Sequence, residues 1–211
     1  MNTDSLIRFL ACGAGPVQHA MATKRIIFAV ATGVLTASLL ALATIGLVSP
    51  ATFATSAPWV KLAYTAGLLT VATLLTKRLS LPGFQVGRLP LWVLLVIAVM
   101  SAAALFDVSK EPSHTYLEVL FSETWLVCPW MVLTYSLPAM IALFWATRGL
   151  APTQLRLAGT AAGLTAGAAG AMGYSFVCPE SSMLFVAVWY TAGIALSAGV
   201  GTILGPWVMR W

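Results

Sequence analysis

The stretch "IIFAVATGVLTASLLALATIGLV", residues 26–48, decides the fold class. It contains no charged residue. A helix rises about 1.5 Å per residue and a hydrocarbon core is about 30 Å thick, so about 20 such residues cross a bilayer. Five further runs resemble it. The apolar runs fall at Ile26–Val48, Pro58–Thr76, Leu89–Phe106, Pro129–Ala146, Leu157–Val177 and Met183–Val208. None alternates as barrel strands do, and spanning segments must satisfy their backbone polar groups internally, so the runs read as helices.

The composition excludes a soluble alternative. Of 211 residues, 60% are hydrophobic and 8% charged, with mean hydropathy +0.92. A soluble domain carries about 25% charged residues. The expected fold is therefore an all-α integral membrane bundle of six transmembrane helices. Its parts are a segment 1–25, a membrane domain 26–208 and a tail 209–211. The first run is too long for a signal-peptide h-region and no A-x-A site follows it, so it reads as a retained span.

Lys and Arg set the orientation. With the N-terminus inside, the inner face holds Arg8, Lys24, Arg25, Lys77, Arg78, Arg88, Arg148, Arg156 and Arg210. Only Lys61 and Lys110 fall outside. Basic residues accumulate in cytoplasmic loops, which predicts both termini in the cytoplasm. The formal charge of +5 is then topology, not a nucleic-acid footprint. No charged residue is expected deep in a span, which argues against a transporter.

Small residues punctuate the last two spans. Gly159, Gly163 and Gly167 recur at four-residue spacing, as do Ser197, Gly201 and Gly205. Such stripes let helix backbones approach closely in lipid, so these two spans are expected to pack inside one bundle.

Two of the three cysteines share a setting: "WLVCPW" at 125–130 and "SFVCPES" at 175–181. Cys128 opens the fourth span and Cys178 closes the fifth, which places both at the outer face. Pro129 suits the first helical position and sets Cys128 near an N-cap. Pro179 should end the fifth helix at Cys178. Three readings stay open: thiols that merely pack, a thiol–disulfide switch in an oxidising compartment, or capture of a soft metal. For the last, His114, Glu118, Glu123 or Glu180 would complete a shell around Cys128 and Cys178. A lone loop histidine such as His114 otherwise reads as solvated, and Cys12 reads as a reduced cytoplasmic thiol. No resident cofactor is expected.

At the N-terminus, Asp4 caps a short helix whose apolar residues include Leu6, Ile7 and Leu10. Such a stripe suits either a membrane surface or a partner's groove.

"DSLIRFLA" (4–11) with Pro16 and Val17, "WLVCP" (125–129), "CPESSMLFVAVWYT" (178–191) and the closing "RW" (210–211) together resemble the NrsF family. That is a family of six-span bacterial inner-membrane anti-sigma factors. The resemblance covers nearly the whole chain. It departs at Cys12 and Gly13, where an acidic segment is expected, and at Ser181, where Asp is expected. It implies a regulator and not an enzyme. Cys128 and Cys178 would sense an external oxidant or heavy metal, supported by Trp125, Pro129, Pro179 and Glu180. Asp4, Leu6, Ile7, Leu10, Pro16 and Val17 would contact an extracytoplasmic-function sigma factor, with no direct contact to nucleic acid. A quinone-coupled membrane thiol oxidoreductase is the competing class. It is disfavoured because the chain has no Cys-x-x-Cys pair.

Overall fold

A computed structural model describes residues 3–5, 7, 19–49, 52–53, 55–81, 86–110, 120–122, 124–150 and 152–210. Six long helices account for most of them: α1 His19–Ile45, α2 Ala57–Leu79, α3 Leu89–Lys110, α4 Val127–Arg148, α5 Leu155–Tyr174 and α6 Met183–Val208. No strand occurs among the described residues.

Five of the helices, all but α5, are long and apolar enough to cross a membrane. Of the six expected spans, the fifth is the one not among them. Helix α5 ends at Tyr174, three residues before the expected Val177, and consists mainly of Gly and Ala. Those residues contribute little hydropathy. Instead they let α5 occupy the middle of the bundle, where 14 of its 20 residues are buried. It packs most extensively on α6, then on α4, α2 and α1.

The glycines of α5 serve three different neighbours. A Cβ on Gly159 would collide with the Gly201 carbonyl oxygen of α6, and one on Gly163 with that of Ser197. On Gly170 it would lie 2.7 Å from the Val132 carbonyl oxygen of α4. On Gly173 it would lie 2.8 Å from the Ala37 backbone of α1. The stripe thus packs within the chain, as its spacing suggested, but the later glycines turn to other helices.

Hydroxyl pairs add directional contacts between helices. Thr44 Oγ1 and Tyr135 Oη are 2.7 Å apart (α1–α4), Tyr64 Oη and Thr191 Oγ1 2.6 Å (α2–α6), and Thr76 and Thr165 Oγ1 2.8 Å (α2–α5). Ser136 and Ser197 join α4 to α6, and Thr160 and Thr202 join α5 to α6. In lipid such bonds contribute about 0.6 kcal/mol each, so they fix register more than they drive association.

Other boundaries shift modestly. Helix α1 begins at His19, ahead of the apolar run, and it stops where Gly46 turns to φ 87°. A positive φ after the last helical residue is the usual glycine stop. Helix α3 runs on through Asp107 to Lys110. It sits at the periphery against α2 and the start of α6, with Leu91, Trp92, Leu94, Val99, Leu105 and Phe106 exposed. Helix α6 is interrupted by a π-helical turn over Val186–Tyr190.

The α5–α6 seam makes a direct prediction. Gly163→Leu should destabilise the protein by about 1–3 kcal/mol through overpacking. Gly199→Ala, with nothing within 4 Å of the new Cβ, should stay within about 0.5 kcal/mol of the parent. Thermal unfolding of both variants in detergent checks the pair.

Candidate functional site

One end of the bundle holds the start of α4, the end of α5, the start of α2 and the π turn of α6. The topology brings Cys128 and Cys178 there together, in one cluster of buried residues. Cys128 is 0% exposed and Cys178 2%. Each lies within electrostatic reach of the other.

The local geometry of Cys128 differs from expectation. Helix α4 starts at Val127 with Leu126 as its cap, so Cys128 is the second helical residue and Pro129 the third. The turn before it explains the shift, because the Val127 and Cys128 N–H groups both donate to the Thr124 carbonyl, at 3.1 and 2.9 Å. Pro129 stays in the first turn, where a missing N–H is tolerated. Cys178 lies beyond α5, on a turn closed by its own N–H to the Tyr174 carbonyl at 3.0 Å.

A side-chain bond ties the two Val-Cys-Pro segments. Thr124, four residues before Cys128, donates from Oγ1 to Glu180 Oε1 at 2.8 Å, and Glu180 lies two residues after Cys178. Pro179 between them is exposed. Trp125 is half-buried and stands beside Trp189 and Phe121, with ring centroids 5.2 and 5.1 Å away. Trp189 of the π turn donates from Nε1 to the Leu120 carbonyl at 2.8 Å. That bond holds the segment before α4 against α6.

Lys61 is the residue that sequence reasoning missed. Counted as an outer-face charge, it is 3% exposed and its Nζ donates to the Cys178 carbonyl at 3.0 Å. It stands five residues into α2, buried near the helix end and not deep in the span. Its position one turn inside the helix end, rather than in a loop, was the available signal.

Three tyrosines floor the site. Tyr135, Tyr174 and Tyr190 form a tilted stack with centroid spacings of 5.9 and 5.7 Å. The Tyr190 hydroxyl lies beside the Cys178 thiol, yet it is fully buried without a hydrogen bond of good geometry. Buried hydroxyls of this kind are rare, and a thiol satisfies them only weakly.

No group of three His, Cys, Asp or Glu that could hold a metal ion occurs among the described residues. His114, Glu118 and Glu123 lie outside the described residues, as do Leu6, Leu10, Cys12, Pro16 and Val17. Asp4 and Ile7 are helical and exposed.

A family model described as a negative regulator of sigma F matches residues 10–211. The chain belongs to the NrsF family. Among NrsF relatives, the Probable anti-sigma-F factor NrsF of Azospira oryzae is 35% identical over 213 residues, covering 100% of both chains. The Anti-sigma-F factor NrsF of Caulobacter vibrioides is 33% identical over 216 residues, again covering 100% of both. No solved structure matches.

In this NrsF-family chain, Lys61→Met removes the donor to the Cys178 carbonyl while keeping an unbranched side chain one atom shorter. With Cys12 and Cys128 replaced by Ala, maleimide labelling of Cys178 should become roughly tenfold faster, equivalent to about 1.4 kcal/mol of local opening. An unchanged rate would show that Lys61 does not hold that segment closed.

Proposed function

We propose that this chain is an integral-membrane anti-sigma factor of a bacterial inner membrane. It holds an extracytoplasmic-function sigma factor at the cytoplasmic face and releases it when an external oxidant or heavy metal alters the Cys128–Cys178 pair. End-to-end similarity to two relatives named as anti-sigma-F factors carries this reading.

The chain crosses the membrane six times in this arrangement. Helix α5, with 20 residues, is about 30 Å long and matches the hydrocarbon core. Its low apolarity is no obstacle, because α1, α2, α4 and α6 stand around it. The basic excess then places both termini in the cytoplasm. Asp4, Leu6, Ile7 and Leu10, with Pro16 and Val17, form the docking segment.

Burial of both thiols makes the reduced, packed pair the holding state. A peroxide takes two electrons and two protons from the thiols, forms one disulfide and leaves as two waters. A thiophilic cation instead displaces both protons and binds two thiolates. A disulfide demands a Cβ–Cβ separation of about 3.5–4.5 Å, so it pins the start of α4 to the end of α5. Tyr190, beside Cys178, carries the change into the π turn and so into α6. Release requires that the sigma factor bind the two states with different affinity.

A gentle detergent pull-down from the native host, with and without residues 1–20, tests the central claim. The full chain should recover a small sigma factor, and the truncated chain should lose it. Failure of the full chain to recover any sigma factor would sink the assignment. Replacing Cys128 and Cys178 together by Ala should leave the sigma factor bound but unresponsive to peroxide or thiophilic metal. Constitutive release in that variant would instead make the thiols part of the restraint.

A further inference from the structure

The end of the bundle opposite the cysteines holds a cavity that the thiol site does not use. Its volume is about 660 Å³, and its lining includes Arg25, Trp145, Arg148, Gly149 and Arg210. The three arginines come from three separate segments: α1, the last residue of α4, and the stretch after α6. Arg25 reaches over the C-terminus of α4, where a Cβ on Gly149 would lie 3.2 Å from its guanidinium. No carboxylate occurs among the described residues lining the cavity. Asp107 and Glu180 belong to the other end of the bundle.

Three permanent cations lining one cavity, with no carboxylate among its described lining residues, favour an anion that joins them. Guanidinium groups match phosphate oxygens with paired N–H donors, and the cavity lies within the roughly 300–1,000 Å³ typical of ligand sites. The surroundings name the anion's source. Trp145 lines the cavity and is 81% exposed, and Trp207, three residues before Arg210, is 82% exposed. Exposed indoles at the ends of spanning helices sit at headgroup depth. A cavity lined by such a ring lies within reach of lipid headgroups.

We propose that Arg25, Arg148 and Arg210 form a binding site for the phosphate of an anionic phospholipid headgroup. The site needs the bilayer but neither the sigma factor nor the cysteine pair, so it stands apart from the proposed regulatory cycle. A headgroup there bridges α1, α4 and the stretch after α6.

Native mass spectrometry of the full chain, released from detergent with phosphatidylglycerol or phosphatidylcholine, reads the site directly. The parent should retain phosphatidylglycerol with at least tenfold preference, and excess inorganic phosphate should not displace it. R25Q/R148Q/R210Q should lose the preference, whereas K24Q/K77Q/R156Q, which removes as many charges from the same end outside the cavity, should keep it. Equal loss in both triple variants would reduce the effect to general surface charge and overturn the site. Displacement by inorganic phosphate would overturn the lipid assignment in favour of a soluble anion. Retained lipid with lost sigma-factor recovery in R25Q/R148Q/R210Q would make the cavity a partner surface and equally overturn the proposal. If that variant does not fold, Arg210→Gln alone, beyond the last helix, should show a partial loss of preference, and full retention would count against the site.

Discussion

Backbone-to-backbone contact along α5 is the constraint from which the rest of the architecture follows. Where Gly159 and Gly163 meet Gly201 and Ser197, no side chain separates the two helices. In lipid there is little hydrophobic gain in joining apolar surfaces, so close packing and hydrogen bonds supply the association. Helix α5 then forms the axis around which α1, α2, α4 and α6 are set. The end of α5 is fixed by the same contacts, and with it the position of Cys178. The thiol site is therefore an outcome of glycine packing as much as of its own residues.

The site end shows how a membrane protein keeps polar chemistry in an apolar setting. Lys61 hydrogen-bonds to a carbonyl, Thr124 to Glu180, and Trp189 to Leu120. Each of these bonds joins different segments of the chain, so the polar groups double as fasteners. The hydroxyls of Tyr190 and Ser122 are exceptions, and that of Tyr190 matters more for the thiols. It lies next to Cys178 and within the π turn, where the extra residue per turn already weakens the regular helix bonding. Structural cost is concentrated where the two cysteine segments meet α6.

Much of this was legible in the sequence because hydropathy and small-residue spacing carry strong signals. Five apolar runs gave spanning helices, and the Gly159–Gly163–Gly167 spacing gave the α5–α6 seam. Cys128 and Cys178 were placed at one end by counting crossings, and the structure sets them in one buried cluster. Other features depend on partners distant in the chain. Burial of Lys61 requires the Cys178 carbonyl, 117 residues away. The shifted start of α4 requires Thr124 to close the preceding turn. The turning of Gly170 and Gly173 toward α4 and α1 depends on which helices surround α5, and spacing within one helix does not encode that.

The low apolarity of α5 also bears on biogenesis. A segment dominated by Gly and Ala has little tendency of its own to leave the translocation channel for lipid. Three of the helices around it, α1, α2 and α4, precede it in the chain, and α6, its most extensive partner, follows. In the proposed six-span arrangement, stable residence of α5 in the bilayer is tied to emergence of the next helix, so the last two helices enter as a pair.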